Sequence, residues 1–211
     1  MLFRSLLFSF SLALVAGSVL AQGLAPKVIL IMGDSLTAGY GLEDPAAEAY
    51  PALLQQKLDA RPPSASHWRV INAGLSGDTT SGGLHRIDWV LRQPVDVFML
   101  ELGGNDGLRG LPLDLVRSNL LAIVTKVRVK NPSVQVVLAG MRMPTNLGDY
   151  AEGFERLFPE LARAQNWTLI PFILQGVGGV AALNQADGIH PTAEGHKLIA
   201  ETVWPFLAPS R

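Results

Sequence analysis

Two stretches of this chain are apolar with little or no interruption and stop at glycine. Val28 to Met32 runs into Gly33, and the run Val95–Leu102, with Val97, Phe98, Met99 and Leu100 consecutive, runs into Gly103-Gly104. A strand with one wet face alternates in polarity. Unbroken Val, Ile and Leu instead fit a strand covered on both faces, as at the centre of a parallel sheet. Parallel neighbours need crossovers, and stretches with helical spacing fill the gaps. Leu53, Leu54 and Leu58 share one face of Ala46–Ala60, with Pro51 near the first turn. Thr79–Arg92 follows capping residues in Ser76-Gly77-Asp78, and Leu113, Val116, Leu120, Ile123, Val124 and Val127 repeat at three and four along Leu113–Lys130. Trp68–Ile71, Val134–Leu138 and Trp167–Pro171 read as further strands, Tyr150–Gln165 and Ala193–Leu207 as further helices. The alternation predicts an α/β fold: a doubly wound, five-stranded parallel sheet flanked by helices, with a flavodoxin-like strand order.

The start of the chain reads as a leader rather than as part of that fold. Arg4 is the only charge before Lys27, Leu6–Leu20 is apolar or small throughout, and Val19-Leu20-Ala21 is a small-residue cleavage site. The run is shorter than the ~20 residues a spanning helix needs, so removal is expected rather than anchoring. Residues 1–21 are thus a signal peptide, and 22–211 a single domain with a periplasmic or secreted destination. The 17 basic residues, one of them in the leader, face 18 acidic ones, and no basic run or arm stands out. Nucleic acid is not an expected partner. Without cysteine there is neither a disulfide nor a thiolate metal site, so the fold must rest on its core.

In open α/β sheets ligands sit beyond the carboxyl ends of the strands. Four segments there carry polar residues. Asp34-Ser35 follows the first strand. On its own the segment reads first as a helix cap by Asp34 or Ser35, and with a base in reach Ser35 reads as a nucleophile. Gly74-Leu75-Ser76-Gly77-Asp78-Thr79 reads as a tight turn or as a source of backbone N–H groups for an anion. Gly103-Gly104-Asn105-Asp106 lets backbone approach a ligand closely, with the Asn105 amide free to donate to a developing oxyanion. In Asp187-Gly188-Ile189-His190-Pro191, an Asp three residues before a His can take the imidazole Nδ1–H and leave Nε2 for a serine. A metal reading of His190 with His196 finds no supporting ligand spacing. His67 and His85 lie outside these segments. Together, a serine, N–H donors and an Asp/His pair are the inventory of acyl transfer.

Gly33-Asp34-Ser35-Leu36, Gly77, Gly104-Asn105-Asp106 and Asp187-x-x-His190 resemble, in order, the four blocks of the SGNH (GDSL) hydrolase family. The likeness is greatest to its secreted bacterial thioesterase I/lysophospholipase/arylesterase group, and it spans Gly33 to Pro191. The resemblance implies Ser35 as nucleophile, His190 as base and Asp187 as its orienting acid. It also implies an oxyanion hole from the Ser35 and Gly77 backbone N–H groups with the Asn105 side chain, and no metal or other cofactor. Leu108-Arg109-Gly110 and Arg142-Met143-Pro144 resemble loops bordering the acyl site of that group. Leu108, Leu111, Met143, Pro144 and Ile189, apolar residues of the loops, are expected either to line an acyl pocket or to pack the loops against the sheet, whereas Leu174–Ala186 matches no motif. The implied substrates are small-molecule esters, thioesters or lysophospholipids. Deacetylation of a carbohydrate, or a non-catalytic exported binding protein on the same fold, are the alternatives.

Overall fold

A computed structural model describes residues 26–62 and 67–207; the expected leader lies outside these residues. Strand β1 (Lys27–Gly33) pairs in parallel with β2 (Trp68–Gly74) on one side and with β3 (Val97–Glu101) on the other. Strands β4 (Gln135–Ala139) and β5 (Thr168–Ile170) continue the sheet from β3. The order is β2-β1-β3-β4-β5, all parallel, which is the flavodoxin-like arrangement expected from the residues. Ile31 and Met32 of β1 and the whole of β3 are buried. Each such apolar side chain contributes about 1.5–3 kcal/mol by leaving water. The chain leaves β1 and β3 in opposite directions across the sheet, so their carboxyl ends open a crevice.

The helices pack against one another in neighbouring pairs. Helix α3 (Tyr50–Asp59) lies against α8 (Ala193–Leu207), α4 (Thr80–Val90) against α6 (Leu113–Lys130), and α6 against α7 (Asp149–Gln165). The single helix expected over Ala46–Ala60 is two. A short turn, α2 (Pro45–Glu48), ends at Ala49, whose extended ψ of 145° breaks the spiral before α3. Pro51 accounts for the break, because in a continuous helix it would have no N–H to donate to the Ala47 carbonyl and its ring would crowd that carbonyl, whereas in the first turn of α3 neither matters. Two further short helices, α1 (Ser35–Ala38) and α5 (Gly104–Leu108), open directly from the ends of β1 and β3. No helix among the described residues is long and apolar enough to cross a membrane.

Beneath this rim the core turns polar. Glu101, fully buried at the end of β3, accepts from the Thr37 hydroxyl at 2.6 Å and from the Asp34 N–H at 3.2 Å. Thr37 meets the buried Tyr50 hydroxyl at 2.7 Å, and the Tyr50 N–H donates to His196 Nδ1 at 3.2 Å. Burial first, and the Asp34 charge second, push the Glu101 carboxyl well above its ordinary range. Burial likewise drives His196 down to about 4, so it stays a neutral acceptor. An acid kept neutral by the fold binds a proton on folding. Its contribution is complete below its ordinary 4.5 and is lost as pH rises from there towards the raised value. Glu101→Gln removes that titration while keeping the shape. Its thermal midpoint should fall less steeply than the parent's as pH rises above about 4.5; parallel curves would show that Glu101 does not titrate there.

Candidate active site

Gly33 ends β1, and Asp34 caps the helix after it: its Oδ1 accepts from the Leu36 N–H at 3.0 Å. Ser35 is therefore the first residue of α1, where a backbone N–H has no partner within the helix. The Ser35 hydroxyl lies 3.0 Å from His190 Nε2, and His190 Nδ1 lies 2.7 Å from Asp187 Oδ2. The other Asp187 oxygen accepts the N–H groups of Ile189 (2.9 Å) and His190 (3.0 Å), so the carboxylate holds both ring and backbone. The imidazole bond, helped by those two N–H groups, holds the Asp187 carboxyl down at about 2. Anionic Asp187 favours the tautomer with hydrogen on Nδ1, leaving Nε2 with a lone pair towards Ser35.

Asn105 reaches the same point from the end of β3. Gly103 takes φ +120° there, and a Cβ would sit 3.2 Å from the Phe158 ring, so the turn into α5 suits glycine. The Asn105 amide donates to Asp34 Oδ2 at 3.0 Å, which leaves its second N–H for a ligand. Burial lifts Asp34 to about 6, against the Leu36 N–H, the Asn105 amide and His190, which pull it down.

The Gly77 loop is held close by. Leu75 N–H donates to the Gly33 carbonyl at 3.0 Å. Arg86 donates from Nη2 to that same carbonyl at 3.1 Å and from Nε to the buried Asp78 at 2.7 Å. The Gly77 carbonyl is turned to Arg109, at 3.1 Å. These tethers fix the loop to the very residue before Asp34.

A cavity of about 500 Å³ opens over Ser35, Asn105 and His190. Four of the five expected pocket residues, Leu108, Met143, Pro144 and Ile189, line it. Leu111 does not. The chain turns away after α5 through Gly110, at φ +63°, and the Leu111 carbonyl instead accepts the Tyr150 hydroxyl of α7 at 2.8 Å. Met141, Phe172 and Leu174 complete the apolar wall, and Gly178, Gly179 and Asn184 show that the unmatched Leu174–Ala186 segment belongs to it. Arg142 stands at the rim with its guanidinium 4.8 Å from the Phe172 ring centre and 2.8 Å from Glu155. His196 points into the core and takes no part. Among the described residues no group of three His, Cys, Asp or Glu is placed to hold a metal.

The pattern of the GDSL-like Lipase/Acylhydrolase family matches residues 31–198. Esterase TesA of Pseudomonas aeruginosa is 40% identical over 208 residues, covering 98% of each chain. The Thioesterase 1/protease 1/lysophospholipase L1 of Escherichia coli is 37% identical over 187 residues, 88% of this chain and 85% of its own. The crystal structure of the psychrotrophic esterase EstA from Pseudoalteromonas sp., inhibited by monoethylphosphonate, superposes with a TM-score of 0.76 at 35% identity. That match covers 85% of this chain and 95% of EstA. With its matched span and these relatives, the chain belongs to the GDSL-like Lipase/Acylhydrolase family and is an ester hydrolase.

Proposed function

We propose that this exported hydrolase cleaves carboxylic esters and thioesters of medium or long acyl chains through an acyl-enzyme on Ser35. The observation that carries the reading is the hydrogen-bonded row Ser35–His190–Asp187 opening into an apolar cavity. His190 Nε2 takes the Ser35 proton as Oγ attacks the acyl carbonyl, and Asp187 stabilises the imidazolium that forms. The carbonyl electron pair moves to oxygen, and the Ser35 N–H, the Gly77 N–H and the spare Asn105 N–H receive the charge. When the tetrahedral adduct collapses, the bond to the alcohol or thiol breaks and His190 returns the proton to that leaving group. Water then attacks the acyl-enzyme with His190 again as base, which releases the acid and restores Ser35.

The wall favours an acyl chain over a sugar. Leu108, Met141, Met143, Pro144, Phe172 and Ile189 offer hydrocarbon and sulfur surface. Burying each methylene of a chain against it contributes about 0.8 kcal/mol. TesA of P. aeruginosa is named an esterase and the E. coli relative a thioesterase and lysophospholipase, which supports both leaving groups. Arg4 with the apolar run after it supports a periplasmic or secreted site of action after cleavage at Ala21.

Hydrolysis of p-nitrophenyl butyrate by the wild type, lost in Ser35→Ala together with the adduct formed with an organophosphonate, is the decisive test. Labelling that survives the substitution would place the nucleophile elsewhere. Asn105→Ala should lower kcat by about 10²–10³ in a normally folded protein; an unchanged kcat would remove Asn105 from the oxyanion hole. Across p-nitrophenyl esters from acetate upward, kcat/KM should climb as methylenes are added, and no gain beyond acetate would refute the acyl pocket.

A further inference from the structure

Gln185 precedes Asp187 by two residues and lies in the segment that no family motif covers. Its half-buried amide Nε2 donates to the Tyr40 carbonyl at 2.7 Å and to the Pro191 carbonyl at 3.0 Å. Both hydrogens of the amide are thereby used. Its backbone joins in, for the Gln185 N–H donates to the His190 carbonyl at 2.7 Å, and its own carbonyl accepts the Gly188 N–H at 2.9 Å. On the far side the Tyr40 N–H donates to the Ser35 carbonyl at 3.0 Å. The Tyr40 ring rests on the imidazole with centroids 4.5 Å apart. Gly41, at φ +75°, completes the fit, since a Cβ there would come within 2.2 Å of Gln185 Oε1.

One side chain therefore ties the backbone leaving Ser35 to the backbone on both sides of His190. Among the described residues, hydrogen bonds from the 184–191 segment to the 33–41 segment are two: His190 to Ser35, and Gln185 to Tyr40. The first is lost whenever Ser35 carries an acyl group, because Oγ no longer has a proton to share. Deacylation still needs the imidazole in place to activate water. We propose that Gln185 is a positioning residue whose amide clamps the loop of Asp187 and His190 to the helix of Ser35 throughout turnover, including the half of the cycle in which the serine is acylated. The clamp rests on the reading of His190 as general base.

The test compares Gln185→Leu, which removes both donors at similar bulk, and Gln185→Glu, which keeps the shape but replaces the donor, each alone and combined with His190→Ala. Loosening the base by a fraction of an ångström should lower kcat for p-nitrophenyl butyrate by about 10- to 100-fold with KM little changed. Pre-steady-state traces should show slowed deacylation as well as slowed acylation. In the His190→Ala background the same substitutions should cost nothing more, since the group they position is gone. A wild-type kcat in both single variants would overturn the clamp, and so would a loss that multiplies in the His190→Ala background, the mark of general damage. If His190→Ala alone kept full activity, the base assignment would fall and take the clamp with it, an outcome distinct from failure of the clamp alone. Two chemically different substitutions keep the comparison available if one of them does not fold.

Discussion

Asp34 stands where the central strand stops and the first helical turn begins, and its two oxygens face different neighbours. Oδ1 caps the helix of Ser35, and Oδ2 takes one N–H of Asn105 from the end of the adjoining strand. A carboxylate is rigid and planar, so the two bonds set serine and amide in a constant relation. That arrangement demands a charge in a place water does not reach, and burial resists it by lifting Asp34 to about 6. Glu101 directly beneath is under stronger pressure and stays neutral, so the pair need not hold two like charges at once. The polar layer at the rim is thus a compromise in which one buried acid yields its charge to the other.

Around this point, distant parts of the chain converge because the topology leaves them nowhere else to go. Strands β1 and β3 are neighbours in the sheet, so Ser35 and Asn105, both at strand ends, are also neighbours. The His190 loop arrives from beyond β5, at the edge of the sheet, and must cross over to reach Ser35. Its internal bonds from Asp187 shape it locally, but they do not reach the central strands. Long-range ties do that, through hydrogen bonds between residues more than a hundred positions apart.

Legibility in the residues alone divides along the same line. Val28–Met32 and Val97–Leu100 announce the central strands because burial on both faces leaves a contiguous apolar signature. Helix α6, Leu113–Lys130, is legible to its ends, since its spacing is sustained over five turns. Ser35, Asn105, Asp187 and His190 each fall in a short run whose local pattern is distinctive. Arg86 is not legible: it sits in a helix with ordinary spacing, and nothing nearby shows that it bonds to Asp78 and Gly33. Leu111 is misplaced by sequence reasoning because a turn at Gly110 redirects the chain. The direction of a turn depends on backbone angles rather than on the apolar character of the next side chain. The break at Ala49 is missed because Pro51 reads as a first-turn proline of a helix begun at Ala46, whereas it opens a new one.

The wall of the cavity comes almost entirely from connecting segments: the stretch around Arg142, the run from Phe172 to Ile189, and the short turn ending near Leu108. The strands that hold the molecule together contribute little to it. Diversification can therefore proceed on the loops without altering a central strand, within the limit that Met143 and Leu174 also pack against the core. A lineage built on this plan can reshape the cavity wall while its central strands stay as they are.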